Sequence, residues 1–365
     1  MNNISVVGIG RLGICFSLTL EKAGYNVLGV DVNPDYVEKI NNKTLISDEE
    51  YVEDLLRKSV NFRATTDLQS ALDFSDLIFV IVATPSLGDG RYDHSQVDSV
   101  VEKVKSFGKT SGKNLIICCT TMPGYCDSIK KDLNSFGYTV SYNPEFIAQG
   151  TIIRDQLKPD MILIGEGSVK AGDLIQSVYE KATENEPKIN RMSCTEAEIT
   201  KIALNCFLTT KISYANMVGD IVKSYNGDPN VVLKAIGEDS RIGPKYLGYG
   251  YGYGGPCFPR DNRAFALCAK DKGVNALISI ASDKTNEDHL NFQIEEFEKN
   301  NNRDDKITFD CVTYKPQSTM IVESQQLAFA VGLAKKGFKV KIKERKKVIK
   351  SIAKKYGDLF EYEER

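Results

Sequence analysis

The chain has 365 residues, enough for two or three domains with buried cores, and its 47 Lys and Arg against 49 Asp and Glu give a formal net charge of −2. This balance offers no electrostatic case for nucleic acid or an anionic membrane as a partner, and no apolar run approaches the length of a transmembrane helix. The nine cysteines form no CxxC pair and only two histidines are present, which disfavours a disulfide framework, a zinc site and a Ser-His-Asp triad. Reduced thiols, and a first strand with no signal peptide ahead of it, favour a cytoplasmic location.

The N-terminal segment carries a glycine-rich motif between two predicted strands. A buried strand at residues 4–7 runs into a motif that opens a helix, Gly8-Ile9-Gly10-Arg11-Leu12-Gly13, and a second strand at 26–30 ends in Asp31. The glycines allow a tight turn and a close approach of phosphate, and the helix N-terminus faces a pyrophosphate. Asp31 is placed to accept hydrogen bonds from a ribose 2′-OH and would repel a 2′-phosphate. The pattern therefore predicts a Rossmann-type domain that binds NAD and not NADP.

Two further strands are predicted at 77–82 and 115–119, and each ends in a polar turn. The first turn contains Ala83-Thr84-Pro85, and the second contains Thr121. Ligands of an open α/β sheet lie beyond the carboxyl ends of its strands, so both threonines are candidate cofactor or water contacts. For Thr84, N-capping of the next helix is an equally good interpretation. A strand at 161–164 is expected to close this domain.

The middle of the chain holds the longest helical pattern, residues 195–224, with apolar side chains at three- and four-residue steps. Thr195 and Glu198 have the spacing of a capping box. Lys201 and Asn205 lie one turn apart, and beside an apolar stripe Lys201 is a candidate for a desolvated lysine, although helical lysines are usually solvated. The stripe itself is explained equally well by pairing with a second copy or by packing within one chain.

A loop rich in glycine and tyrosine, 249–255, leads to Cys257, which stands between two prolines, with Asp261 four residues later. Free cysteines usually pack as small apolar residues, and a surface turn with an incidental thiol is the simpler interpretation. A core cysteine seldom occurs in so polar and constrained a loop, so we predict a positioned nucleophile. Upstream, Glu145 next to a proline is either a functional carboxylate or a first-turn residue of a helix.

The polar linker 300–305 marks the clearest domain boundary. Beyond it, strands at 306–313 and 339–342 flank a helix at 325–336, which predicts half of a second dinucleotide-type fold followed by a basic helix and a charged tail. The predicted fold class is α/β, with an N-terminal Rossmann-type NAD domain (1–192), a central long-helix region for catalysis and dimerisation (193–299) and a shortened Rossmann-like domain for a UDP-sugar (300–365).

Several of these motifs, in this order, resemble the UDP-glucose/GDP-mannose dehydrogenase family, most closely its UDP-glucose 6-dehydrogenases, over residues 1 to about 325. Residues 254–261 match the family's GGxCxPxD motif, residues 143–146 its NPEF motif and residues 196–207 its central helix. The resemblance implies oxidation of the C6 alcohol of UDP-glucose to a carboxylate by two NAD, through a thiohemiacetal and a thioester on Cys257. The same resemblance implies a homodimer through the central helix.

The motif and the resemblance together assign three sets of residues. Catalysis is expected from Cys257, Lys201, Asp261, Asn205, Glu145 and Thr121. Cofactor contacts are expected from Gly8, Ile9, Gly10, Arg11, Leu12, Gly13, Asp31, Ala83, Thr84, Pro85 and Thr121. Substrate contacts are expected from Glu145, Phe146, Gln149, Lys201, Asn205, Arg241, Tyr246, Tyr249, Tyr253, Gly254 and Lys315.

The chain departs from the family pattern at Gln149, where a second Glu is common, and at Val322, where an acid or arginine precedes Glu323-Ser324. It also stops where the family continues with further strands. Three alternatives therefore stay open: a one-step dehydrogenase of the 6-phosphogluconate or 3-hydroxyacid type, a non-catalytic nucleotide-sugar binder, and the same chemistry on GDP-mannose or a UDP-N-acetylhexosamine.

Overall fold

The computed structural model describes residues 2–147, 150–316 and 318–365, and the chain folds into two compact units, 1–201 and 202–365. Gln149 lies outside the described residues. The strands of the first unit are β1 (Asn3–Val7), β2 (Asn26–Val30), β3 (Phe62–Thr65), β4 (Leu77–Val80), β5 (Lys113–Ile117), β6 (Tyr138–Tyr142), β7 (Met161–Glu166) and β8 (Lys188–Ser193). Its helices are α1 (Arg11–Lys22), α2 (Pro34–Asn41), α3 (Val52–Lys58), α4 (Leu68–Phe74), α5 (Ser95–Phe107), α6 (Tyr125–Asn134), α7 (Ile152–Leu157), α8 (Val169–Ala182) and the first turns of α9 (Cys194–Ser224).

The eight strands form one sheet in the order β3-β2-β1-β4-β5-β6-β7-β8. The first six strands are parallel, and their order 3-2-1-4-5-6 is that of a Rossmann fold, which confirms the predicted fold class. β7 runs antiparallel to β6 and carries β8 parallel on its outer edge. The prediction that residues 161–164 form the last strand of this domain is therefore wrong. β8 was missed because its side chains are all at least partly exposed and give no apolar run.

Helices cover both faces of this sheet because its inner strands are apolar on both sides. On one face Phe16 of α1 packs edge-to-face on Phe79 of β4, with ring centroids 5.0 Å apart. On the other face Val97, Val101 and Val104 of α5 pack on the neighbouring side chains of the same strands. This two-sided burial fixes the register of the strands, so that β1, β2, β4 and β5 end at one edge of the sheet.

The start of α9 differs from the predicted capping box. Ser193 and Glu196 form the reciprocal pair instead: the Glu196 amide donates to Ser193 Oγ (3.3 Å), and the Ser193 amide donates to Glu196 Oε2 (2.9 Å). Thr195 Oγ1 donates to Asp127 Oδ2 on α6 (2.6 Å), and Glu198 turns away from its own helix terminus. The predicted box fails because Ser193, two residues earlier, already satisfies that terminus.

The second unit contains the rest of α9 and a smaller parallel sheet in the order β11-β10-β9. Its other elements are α10 (Pro229–Glu238), α11 (Phe258–Asp271), α12 (Leu277–Asn300), β9 (Lys306–Phe309), α13 (Gln325–Lys335), β10 (Lys339–Glu344), α14 (Lys346–Tyr356), a 3₁₀ turn (Gly357–Leu359) and β11 (Glu361–Glu364). This sheet matches half of a dinucleotide-type fold. The predicted charged tail is in fact β11, whose glutamates pair with lysines of β10 and β9.

Within the described residues, no helix is both long and apolar enough to cross a membrane. Helix α11 begins at Phe258, because Pro259 fits the first turn of a helix, where an amide donor is not needed.

Candidate active site

The glycine-rich turn after β1 is shaped by close packing at two of its three glycines. Gly8 has φ +90°, and a Cβ on it would lie 2.5 Å from the carbonyl oxygen of Ile81. A Cβ on Gly13 would lie 2.0 Å from the carbonyl oxygen of Gly8. At Gly10, in contrast, no group among the described residues lies within 4 Å of the position of a Cβ, so the space above it can admit a ligand. The turn opens α1, whose N-terminus suits a pyrophosphate, and the observed cradle therefore fits a dinucleotide.

Asp31 directly follows β2, as the motif predicts, and its Oδ1 accepts a hydrogen bond from the Asn33 amide (3.0 Å). Arg11 on the glycine-rich turn pairs with Asp48 (3.6 Å) and Glu49 (3.5 Å). Glu49 is buried and also accepts from the Gly150 amide (2.8 Å). Sequence reasoning missed this carboxylate, because its two partners are 38 and 101 residues away in the chain.

The turns after β4 and β5 are joined by a direct hydrogen bond. Thr84 Oγ1 donates to the Thr120 carbonyl (2.8 Å), and the next helix begins only at Ser95, so the N-capping alternative for Thr84 is wrong. The Met122 amide donates to His94 Nε2 (3.2 Å), and burial lowers the pKa of His94, which favours the neutral ring that can accept this bond. Ala83 and Pro85 lie exposed at the same edge of the sheet.

Glu198 holds the Thr121 turn from within the first unit. Its carboxylate is fully buried and accepts hydrogen bonds from Thr121 Oγ1 (2.9 Å), the Gly124 amide (2.6 Å) and the Cys126 amide (2.9 Å). Burial raises the pKa of Glu198, while these donors lower it. The carboxylate caps the N-terminus of α6 and fixes the hydroxyl of Thr121. An acid among apolar residues of a predicted helix was the only signal for this role.

Glu145 lies in the loop after β6, well before α7 begins at Ile152, so the alternative of a first-turn carboxylate is wrong. Its Oε1 is 3.2 Å from the Tyr179 hydroxyl, which is 2.6 Å from Asn143 Oδ1. Although the residue keeps some solvent exposure, burial of the carboxyl raises its pKa to about 7, against the opposing effects of the Tyr179 hydroxyl and the Lys201 charge. A carboxyl with this pKa can exchange a proton near neutral pH.

Lys201 is buried at the end of the first unit, as expected of a desolvated lysine. Its Nζ donates to the carbonyl oxygen of Glu145 (2.7 Å) and lies 4.4 Å from the ring centroid of Phe146. The structure thus brings together three of the predicted residues of the first unit.

In the second unit, Cys257 is exposed at the N-cap of α11, at the positive end of the helix dipole. Asp261 closes that turn through its amide, which donates to the Cys257 carbonyl (2.8 Å). The buried Asp261 carboxylate accepts from Asn205 Nδ2 (2.7 Å) and lies 3.3 Å from Arg260 Nε. Three of the predicted catalytic residues of this unit are therefore linked by adjacent bonds.

The glycine-tyrosine loop before Cys257 is held by internal contacts. The Tyr249 hydroxyl donates to Asp220 (2.9 Å), and the Tyr253 hydroxyl donates to Asp283. Both hydroxyls thus have structural partners, and their predicted substrate contacts stay predictions. Tyr246, Arg241 and Lys315 are exposed on this unit. The Tyr246 ring lies edge-on to Phe258, next to Cys257, with ring centroids 6.4 Å apart, and Arg241 pairs with Asp239 (2.7 Å).

The sequence matches two family models: the NAD binding domain of the UDP-glucose/GDP-mannose dehydrogenase family over residues 2–183, and its central domain over 195–288. The UDP-glucose 6-dehydrogenase AglM of Haloferax volcanii is 29% identical over 299 residues, which cover 78% of this chain and 69% of that protein. The GDP-mannose 6-dehydrogenase of Pseudomonas savastanoi pv. phaseolicola is 28% identical and is matched over 93% of this chain and 80% of its own length. A UDP-glucose dehydrogenase structure from Pyrobaculum islandicum superposes with a TM-score of 0.89 at 28% identity, covering 100% of this chain and 86% of that one.

Substitutions at two glycines of the glycine-rich turn, Gly10 and Gly13, can distinguish an effect on NAD binding from an effect on stability. Gly10→Ala should leave the melting temperature unchanged, because nothing lies near its Cβ, and should weaken NAD binding about tenfold or more, because the methyl occupies the approach of the pyrophosphate. Gly13→Ala should lower the melting temperature, since its Cβ would clash with the Gly8 carbonyl. Calorimetric NAD titration and thermal unfolding measure both effects. Unchanged NAD affinity in Gly10→Ala would contradict the assigned cradle.

Proposed function

Because the chain belongs to the UDP-glucose/GDP-mannose dehydrogenase family, we propose that it oxidises the C6 alcohol of UDP-glucose to UDP-glucuronate. The match to an NAD-binding domain and the fitting cradle make NAD its cofactor. UDP-glucose is supported by the similarity to the enzymes of Haloferax volcanii and Pyrobaculum islandicum. The equally similar GDP-mannose 6-dehydrogenase keeps GDP-mannose as the second candidate. The observation that carries the proposal is an exposed thiol at a helix N-terminus beside the Asn205–Asp261 pair.

NAD supplies hydride acceptance, once for each two-electron oxidation. In the first oxidation the C6 hydroxyl loses its proton and the C6 carbon loses a hydride, which gives an aldehyde. Lys201 and Asp261, with a bound water, take up the proton and stabilise the developing negative charge on oxygen. The Cys257 thiolate then adds to the aldehyde carbon to form a thiohemiacetal. The N-terminus of α11 favours the negative charge of that thiolate.

Loss of a second hydride from the C6 carbon, to NAD, together with the hydroxyl proton, to a base or water, converts the thiohemiacetal to a thioester on Cys257. Water adds to the thioester carbonyl, the carbon–sulfur bond breaks, and the carboxylate and the thiolate are released. We assign the removal of the proton from this water to Glu145, with Asp261 as the alternative base. A pKa of about 7 means that Glu145 is ionised in a large fraction of molecules at neutral pH and yet remains basic enough to accept a proton.

The covalent step predicts a stoichiometry. Incubation with UDP-glucose and NAD should release two NADH per sugar consumed, measured by absorbance at 340 nm against the sugar quantified by chromatography. GDP-mannose and UDP-GlcNAc, run in parallel, should give far lower rates. One NADH per sugar would instead support a one-step dehydrogenase. No NADH formation with any of the sugars would support the non-catalytic binder.

Cys257→Ser tests the covalent step, because a serine hydroxyl keeps nearly the size of the side chain and is a much poorer nucleophile than a thiolate. The variant should bind UDP-glucose with unchanged affinity in calorimetry and lose overall acid production by about 10³-fold or more. Normal production of UDP-glucuronate by this variant would rule out the thioester scheme.

Glu145 predicts a pH dependence of the hydrolytic step. A base acts in its ionised form, so the rate of thioester hydrolysis should rise about tenfold from pH 6 to pH 8 and level off above the pKa of about 7. Glu145→Gln should abolish this rise and leave the acyl group on Cys257, detected as added mass on that peptide. If the variant keeps the pH profile, the base is another group, with Asp261 first in line.

We also propose a homodimer formed through α9, with a second copy of the chain as the partner. Four large apolar side chains of this helix that lie in the second unit are exposed at spacings of seven, three and four residues, which place them on one face: Phe207, Tyr214, Met217 and Ile221. A continuous apolar stripe on a helix favours pairing with a like stripe.

The double variant Phe207→Lys/Ile221→Lys should shift the sedimentation equilibrium mass from that of two chains to that of one, because each lysine places a charge in the apolar contact. Asn291→Lys on α12 adds the same charge at an exposed polar position and should leave the dimer intact. A double variant that stays dimeric would place the interface elsewhere.

A further inference from the structure

Among its contacts, the loop that presents Cys257 packs against a segment of the second unit that the structure describes as residues 312–316 and 318–324. Gly254 lies so close to it that a Cβ would be 2.1 Å from the carbonyl oxygen of Glu323. Gly255 has φ +81°, and a Cβ on it would be 2.5 Å from the ring of Tyr314. Two successive glycines thus allow this segment to touch the backbone of the loop directly, and they explain on packing grounds why the motif needs both.

The same segment also forms an ion pair with α11, the helix that begins directly after Cys257. Arg263 on α11 makes a two-bond ion pair with Glu323, Nη1 to Oε1 at 2.7 Å and Nη2 to Oε2 at 2.9 Å. Arg263 Nε lies 3.4 Å from Asp283, which also accepts from the Tyr253 hydroxyl. The planar guanidinium of Arg263 is held by Glu323 and by Asp283, so its orientation is fixed as well as its distance. These contacts therefore restrain the rotation of α11 about its axis.

Glu323 is itself held in an uncommon backbone conformation, with φ +46°. A non-glycine residue in this region is strained, and the conformation persists where the surroundings hold it. The next residue, Ser324, caps α13 by accepting from the Leu327 amide (3.3 Å) and donates to the Val312 carbonyl (2.8 Å). Glu323 is therefore anchored to the C-terminal sheet region on one side and to the thiol's loop and helix on the other.

We infer that Glu323 is a positioning residue for the Cys257 thiol, acting through its carboxylate on Arg263 and its carbonyl oxygen on Gly254. The inference rests on the proposed function, in which Cys257 is the nucleophile. Removal of the carboxylate's charge leaves Arg263 with one weaker partner, so α11 and the loop gain freedom and the sulfur leaves its productive position. Small displacements of a reacting group cost large factors in rate, so the effect should appear in kcat.

The test compares Glu323→Gln with wild type in the full-length chain. Alkylation of Cys257 by iodoacetamide from pH 6 to pH 10, followed by peptide mass spectrometry, reports the thiol separately from Cys268 and Cys311. The variant should shift the alkylation rate at pH 8 by about threefold or more, and kcat for NADH formation should fall about tenfold with little change in KM for NAD. Glu298→Gln, which weakens pairs with Arg303 (2.6 Å) and Lys336 (2.7 Å), should change neither quantity.

A double-mutant cycle with Arg263→Gln guards against a general loss of stability. If the two side chains act as a pair, the double variant should be no worse than either single variant in alkylation and in kcat. Wild-type alkylation and kcat in Glu323→Gln, or additive losses in the cycle, would overturn the inference. Alkylation requires no substrate, so a chain inactive on every sugar would contradict the proposed function and still leave the positioning role decided by this measurement.

Discussion

The first unit depends most on one buried carboxylate, that of Glu198. An acid removed from water is costly unless donors surround it, and here two amides and the Thr121 hydroxyl do so. The bonds tie the first turn of α9 to the N-terminus of α6 and to the turn that follows β5. Lys201 lies three residues further along the same helix, so the position of its ammonium group at the Glu145 carbonyl follows from that anchor. The positions of Thr121 and Lys201, two of the predicted catalytic residues, therefore depend on a residue expected to touch neither cofactor nor substrate.

Glycine has a second use in this chain besides conformational freedom. At Gly13 and Gly254 what matters is the missing Cβ, which allows one stretch of backbone to rest on the carbonyl of another. The first contact closes the nucleotide cradle and the second seats the loop of Cys257. Both glycines belong to motifs that would usually be interpreted chemically, as phosphate or nucleophile motifs. Their packing role explains why each motif requires glycine and not merely a small residue.

Much of the fold was predictable because the inner strands are apolar on both faces and end at glycine or proline. β2 was predicted to the residue, and α9 to within one residue. β3, β8 and β11 were missed because they are short or lie at sheet edges, where exposed charged side chains mask the pattern. The inner strand β6 was missed because Thr139 and Ser141 interrupt its apolar residues. Cys257, Lys201 and Glu145 were singled out as candidates from local motifs. Glu198, Glu49 and Glu323 were not, since what makes each one important is a partner 38 to 101 residues away that no local pattern reveals.

The predicted chemical residues and the predicted nucleotide-binding residues differ in burial, and this difference is relevant to the choice of substrate. Lys201, Asn205 and Asp261, expected to carry out the chemistry, are buried and each is held by a specific bond, so substitution there is costly. Arg241 and Lys315, expected to contact the nucleotide, are exposed, and the side chain of Arg241 keeps 86% of its accessible surface. Exposed positions can change without cost to the fold. The chain is 29% identical to a UDP-glucose enzyme and 28% identical to a GDP-mannose enzyme, so overall identity does not distinguish the two sugars. If Arg241 and Lys315 select the nucleotide sugar, as the sequence predicts, the selection rests on side chains that packing constrains little.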